Sequence, residues 1–293
     1  RSGAATIVGT LKSAVDIAAQ YLKVLNVSAK ETDVLYEMTT KQLLDAQGQL
    51  LQILREKTGR ATPFQPVVDG KDLPDFPMTA IKKGNARNIP ILAGNTLDEL
   101  KMMYAMDPKQ KEMDEAGLKT LLNSAVPADL IPGLITAYRN SLKNNGSEAK
   151  PYEIYGAINT AMMFRIPTIR LVELQRDHGM PAYKYLFAYK CPAMGGILGA
   201  MHGLDNPFLF GGLTAEFTGN GPEQQALAEK IQDSTAAFMR TGDPSCKSIG
   251  RWPVYGKERM TMMLDTDCRA VAAPFEEERA AWDKHDFLFN PPM

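Results

Sequence analysis

Ile89-Pro90-Ile91-Leu92-Ala93-Gly94 is an unbroken apolar run closed by a glycine, and Asn95-Thr96-Leu97-Asp98-Glu99 follows at once. A short continuous apolar run of this kind reads as a parallel strand buried on both faces by helices. Further along, Tyr183, Tyr185, Phe187 and Tyr189 alternate with Lys184, Leu186 and Ala188, the period-2 pattern of a second strand. Met260–Leu264 reads as a last strand. Between them lie helical stretches. Leu11, Val15, Ala18, Leu22 and Leu25 share one predicted helical face over residues 11–25, and helical character continues over 33–56. Residues 114–177 are largely helical, broken near Pro127, Pro132 and the turn Asn144-Asn145-Gly146-Ser147. Residues 222–239 form a helix with Pro222 in its first turn, Leu227, Ile231 and Phe238 on one face, and Gly242 beyond its end. A terminal helix is expected over 275–287, and the stretch Pro63–Gly70 must be extended and turning. Strands alternating with helices predict an α/β protein with a mostly parallel sheet flanked by helices.

Composition narrows the function. The chain has 293 residues, 44% hydrophobic and 23% charged, enough for a sizeable core. Its net charge of -1, with both signs interspersed, gives no electrostatic case for nucleic acid or an anionic membrane surface. No apolar run approaches the roughly 18–20 residues of a membrane span. Cys191, Cys246 and Cys268 lack CxxC spacing, which argues against a disulfide framework or a zinc site. Unpaired thiols are expected, with a Cys246–Cys268 bridge as the open alternative. The pairs Met102-Met103, Met162-Met163 and Met262-Met263 read as core filler or pocket lining rather than a metal site. No glycine-rich phosphate loop follows a strand, which disfavours a nucleotide-binding α/β domain.

In parallel sheets, chemistry gathers just past the carboxyl ends of strands. That rule selects Gly94–Glu99 after the first strand. It also selects Gly199-Ala200-Met201-His202-Gly203-Leu204-Asp205-Asn206-Pro207-Phe208-Leu209-Phe210-Gly211-Gly212 after the second. Histidine takes and returns a proton near neutral pH, and flanking glycines permit the turn that presents it. Taken singly, each residue has a plainer reading: His202 as a structural loop histidine, Glu99 as a carboxylate at a helix start. Together, an acid after one strand and a histidine after the next form the second half of a Ser–acid–His arrangement in α/β-hydrolase order.

Longer segments strengthen this. Phe64-Gln65-Pro66-Val67-Val68-Asp69-Gly70 with Leu73-Pro74, the Gly94–Glu99 and His202–Gly211 segments, Phe238-Met239-Arg240-Thr241-Gly242-Asp243-Pro244 and Trp252-Pro253-Val254-Tyr255 recur in order. In these the chain resembles the carboxylesterase type B family, which includes p-nitrobenzyl esterase-like enzymes and cholinesterases. The resemblance implies a serine carboxylic-ester hydrolase with an α/β-hydrolase fold, acting on a small-molecule ester with no cofactor and no metal. It implies Glu99 as the triad acid and His202 as the catalytic base, with Asp98 as a structural neighbour. Asp205 and Ser2 take supporting roles, and Leu100 replaces the glycine that cholinesterases carry after the Asp-Glu pair. A roof over the pocket is expected from the helical segment of about 100–180 and from the loop around 191–201. His178 reads as a helix-end residue, and His285 carries no motif.

Neither a Gly-x-Ser-x-Gly nucleophile elbow nor a His-Gly-Gly-Gly loop occurs in these 293 residues. In the family both precede the region matched here, and Arg1-Ser2-Gly3-Ala4 reads as the interior of a protein, with neither initiator Met nor signal sequence. Residues 1–293 are therefore expected to be the C-terminal part of one α/β-hydrolase domain, inactive alone, with the nucleophile half upstream or on a separate chain. A non-catalytic, cholinesterase-like binding or adhesion protein is the alternative. The compartment stays unassigned.

Overall fold

Thr10 opens the first long helix. Its hydroxyl accepts from the Ser13 N–H at 3.2 Å while Ser13 Oγ accepts from the Thr10 N–H at 3.0 Å, a reciprocal cap for two otherwise orphaned donors. The computed structural model describes residues 7–58 and 62–283, and the chain divides into a smaller unit, Thr6–Ala80, and a larger one from Ile81 onward.

In the smaller unit β1 (Gly9–Thr10) leads into α1 (Leu11–Leu25), followed by α2 (Thr40–Thr58) and β2 (Val67–Val68), which pairs in parallel with β1. Ile17, Leu50 and Leu54 are buried between α1 and α2, with Tyr21 packed against them. The Tyr21 hydroxyl donates to the Leu43 carbonyl at 2.8 Å, and its ring meets Phe64 edge-on at 5.3 Å. This corrects the expected face of α1: Leu11, Val15 and Ala18 are exposed, because the side facing α2 carries Ile17 and Tyr21 instead. Next comes α3 (Pro77–Lys82).

The larger unit is built on a sheet in the order β3 (Ile91–Thr96), β4 (Ala182–Phe187), β5 (Met260–Leu264), β6 (Arg269–Ala272). The first three strands are parallel and β6 is antiparallel. Met260–Leu264 is thus not the last strand; β6 escapes sequence reading because it is short and only half-buried. β3 also runs further than expected. Asn95 and Thr96, placed in a loop by sequence, lie opposite Leu186 and Phe187 in the sheet. Gly94 sits across from Tyr185, whose ring occupies the space a Cβ would need.

Seven helical pieces join β3 to β4. They are α4 (Lys101–Ala105), α5 (Pro108–Lys111), α6 (Glu115–Asn123), α7 (Ile131–Asn144), α8 (Pro151–Thr160), a π turn (Ala161–Arg165) and α9 (Ile166–Asp177). The helical stretch is broken over 124–130, near Pro127 and Pro132 as expected, and Pro132 then sits in the first turn of α7, as suits a residue with no N–H to donate. After β4 come α10 (Asp205–Phe210), α11 (Pro222–Thr241) and α12 (Glu276–Ala280).

β4 is buried along its whole length. Tyr183, Tyr185 and Phe187 pack with Phe208 of α10, Leu227 and Ile231 of α11, and Trp252. On the other side Ala182 and Ala93 meet Val172 of α9. Helices therefore cover both faces, which is why the strand carries no polar alternation beyond Lys184. A second core joins α6 to α9 through Leu118, Leu134, Tyr138, Ile154, Ile158 and Trp282. There the Trp282 Nε1–H donates to the Tyr138 hydroxyl at 2.9 Å, and Arg165 pairs with Glu278, both buried. Among the methionine pairs Met262 is core, whereas Met102, Met103 and Met163 are exposed. Cys191, Cys246 and Cys268 are free thiols. No helix of the described residues is long and apolar enough to cross a membrane.

Candidate active site

The turn leaving β3 is bound to the loop that follows β4. The Leu97 N–H donates to the Phe187 carbonyl at 2.8 Å, and the Asp98 N–H to the Ala200 carbonyl at 3.0 Å. In return Asp98 Oδ2 accepts from the Ala200 N–H at 2.9 Å. Glu99 is the next residue. Its side chain is fully buried, with Oε1 accepting from the Thr96 N–H at 2.7 Å and Oε2 lying 2.5 Å from His202 Nδ1. The His202 N–H donates to the Glu99 carbonyl at 3.3 Å, and Thr160 Oγ1 of α8 accepts from the Leu100 N–H at 3.1 Å.

The two sides of this pair differ in solvation. Glu99 is enclosed, whereas the His202 side chain is 57% exposed. Phe164 lies over the imidazole with ring centroids 5.3 Å apart and an interplanar angle of 42°. A buried carboxylate is costly unless its oxygens are hydrogen-bonded, and here each has a donor. A proton placed on Nδ1 would point at the carboxylate and leave Nε2 as the ring's acceptor, on a side chain that is largely open to solvent.

The remaining sequence candidates sit as follows. Asp205, buried at the start of α10, accepts from the Tyr185 hydroxyl at 3.3 Å, which ties the helix after His202 to β4. Asp98 holds the two loops together rather than facing the imidazole. His178 ends α9, its Nε2 2.8 Å from the Ile81 carbonyl. Ser2 and His285 lie outside the described residues. Thr96, Thr160, Phe164 and Ala200 are participants that sequence reasoning misses. Thr96 and Ala200 lie within the segments already singled out but act through backbone N–H groups, which no side-chain pattern marks, whereas the Thr160 hydroxyl and the Phe164 ring arrive from a distant part of the chain.

A cavity of about 70 Å³ lies on the Asp98 side of this turn, lined by Leu97, Lys101, Tyr104, Gly156 and Thr160 among others. Burial and the neighbouring Tyr155 push the Tyr104 hydroxyl up to about 12. His202 does not line this space; its open edge is on the surface. On β4, Lys184 is fully buried, with Nζ 3.5 Å from Asn95 Oδ1 and 3.3 Å from the Tyr185 carbonyl. Burial, reinforced by Arg165, lowers its ammonium to about 7.

Comparison with known proteins agrees with this architecture. The family model "Carboxylesterase family" matches residues 2–282. The chain is 30% identical over 283 residues to para-nitrobenzyl esterase of Bacillus subtilis, covering 92% of this chain and 53% of that protein. It is 24% identical over 304 residues to liver carboxylesterase of Sus scrofa, covering 96% and 53%. Among solved structures, the Geobacillus stearothermophilus carboxylesterase EST55 superposes with a TM-score of 0.75 at 28% identity, covering 94% of this chain and 55% of that one. The chain thus spans about half the length of the curated relatives it matches. With helices on both faces of a mainly parallel sheet and a family match across nearly all its residues, the chain has the α/β-hydrolase fold and belongs to the carboxylesterase family.

Proposed function

We propose that this chain supplies the acid and the base of a serine carboxylic-ester hydrolase, Glu99 being the acid and His202 the base. The observation that carries the reading is the 2.5 Å contact between a fully buried carboxylate and an outward-facing imidazole. In this reading a serine outside these 293 residues attacks the ester carbonyl. Its proton passes to His202 Nε2 and is then given to the departing alcohol; water activated by the same nitrogen cleaves the acyl-enzyme. Glu99 holds the tautomer and stabilises the imidazolium, and needs no proton of its own. Asp98 and Asp205 support the two loops through Ala200 and Tyr185. No step calls for a metal or an organic cofactor.

Hydrolysis of p-nitrophenyl butyrate by a polypeptide that joins this chain to the serine-bearing part of the proposed enzyme, the parent polypeptide, tests this. The wild type should turn over, and His202→Ala should lose on the order of 10⁶-fold in kcat. Unchanged hydrolysis in the variant would remove His202 from the mechanism. One other reading is a non-catalytic binding protein of the same fold. A parent polypeptide that neither hydrolyses esters nor reacts with a fluorophosphonate would overturn the hydrolase reading.

A further inference from the structure

The helical rod from α8 to α9 is interrupted at a single turn. Over Ala161–Arg165 the backbone opens into a π turn, and the Ile166 N–H reaches the Ala161 carbonyl, five residues back. Such turns are uncommon in isolation and concentrate at functional sites. Here the surroundings of the turn explain its persistence. Phe164 and Arg165 are consecutive and both buried, yet they have different partners: Phe164 lies on the His202 ring, and Arg165 pairs with Glu278 and donates to the Tyr138 hydroxyl. Thr160, at the entry to the turn, accepts from the Leu100 N–H. One helical turn therefore touches the residue after the acid through Thr160 and the base itself through Phe164.

The imidazole needs such a contact. A ring held by one hydrogen bond at Nδ1 still swings about that bond, and each swing carries Nε2 away from the position where a hydroxyl would meet it. His202 is largely exposed, so water does not oppose the swing. An aromatic ring at 5.3 Å, within the 4.5–7 Å range of favourable ring pairs, supplies a second constraint on its plane. We propose that Phe164, delivered by the π turn, is a positioning residue for the His202 imidazole, keeping Nδ1 on Glu99 and Nε2 aimed outward. The geometric claim concerns this chain alone; its consequence for turnover rests on the reading of His202 as the base.

Proton NMR of the 293-residue chain, with ring-labelled histidine and His202→Gln for assignment, tests the geometry. In the wild type and in Phe164→Tyr, the His202 ring protons should show cross-relaxation to the residue 164 ring and a ring-current displacement. A low-field Nδ1–H resonance should persist in both. In Phe164→Leu, which keeps an apolar side chain and the fold, the ring-current displacement disappears and the Nδ1–H resonance broadens into solvent exchange. His178 should be unmoved, which separates local positioning from general loosening. In the ester-hydrolysing parent polypeptide, Phe164→Leu should lower kcat roughly tenfold with little change in KM. A Phe164→Leu spectrum with the His202 resonances where the wild type has them would overturn the proposal. A parent polypeptide without ester hydrolysis would instead overturn the functional reading and leave the ring geometry standing.

Discussion

Asp98 and Ala200, 102 residues apart, exchange two hydrogen bonds: the Asp98 N–H reaches the Ala200 carbonyl and Asp98 Oδ2 takes the Ala200 N–H. This pair fixes the distance between the turn that carries Glu99 and the loop that carries His202. Neighbouring carboxylates thus divide the work, one binding loop to loop and the other facing the imidazole. Gly199 makes the arrangement possible, because its φ of +62° lies in the left-handed region and a Cβ there would run into the Asp98 carboxylate.

Gly199→Ala should therefore destabilise the larger unit by about 1–3 kcal/mol. It should also lower ester hydrolysis in the parent polypeptide by pushing Asp98 off Ala200. Chemical denaturation read by circular dichroism, together with kcat, checks both effects. A variant with wild-type stability would show that the Asp98–Ala200 clasp is dispensable.

Glu99→Gln keeps the shape of the side chain and an acceptor for the Thr96 N–H, but removes the charge facing His202. An amide here can offer N–H to Nδ1 and reverse the tautomer, so turnover should fall on the order of 10⁴-fold. Folding should be nearly unaffected. Steady-state kinetics on the parent polypeptide beside a thermal melt makes the comparison, and turnover within tenfold of wild type would dismiss Glu99 as the acid.

Lys184 predicts a pH dependence of stability. Its folded-state pKa of about 7 lies below the ordinary 10.5, because the ammonium is buried and Arg165 is near. Between these two values the unfolded chain holds a proton that the folded chain lacks, so the Lys184 contribution rises with pH across that window. Below about pH 7 both states are protonated and the full cost of the buried charge applies. Arg165, Arg259, Arg279 and Glu276 line the same small cavity, and the two acceptors near Nζ are neutral. Lys184→Met should raise stability at pH 7 by roughly 1–3 kcal/mol, with the advantage shrinking as pH approaches 10. Thermal melts of both proteins at pH 6, 8 and 10 test the sign; a gap that widens with pH would refute it.

Arg165 and Glu278 form a buried pair between the π turn and α12. Removing one partner strands a charge and should cost about 3–5 kcal/mol, whereas replacing both with apolar residues of similar volume should cost far less. A double-mutant cycle with Arg165→Met and Glu278→Leu, read by urea denaturation, measures the difference. Additive single effects would mean that the two side chains act independently.

Much of this fold is legible in sequence where burial imposes a pattern. β4 alternates aromatic residues because one face must fill the core under α10 and α11, and α11 shows its face, its Pro222 start and its Gly242 end. The expected face of α1 fails because Leu11 and Val15 look as apolar as Ile17, and only the position of α2 decides between them. β6 is too short and too exposed to register. At the candidate site, the meeting of Glu99 with His202 is foreshadowed by chain order and by the segments around them. Thr160 and Phe164 are not, because a hydroxyl binding a backbone N–H 60 residues away leaves no local trace.

In the proposed enzyme Glu99 holds His202 so that Nε2 meets the reacting hydroxyl. A crystal structure of the parent polypeptide after reaction with a fluorophosphonate tests it most directly. The adduct should be a phosphonylated serine whose oxygen lies about 2.6–3.2 Å from His202 Nε2, with Nδ1 still on Glu99. An adduct on a residue remote from His202, or an imidazole turned away from Glu99, would contradict it.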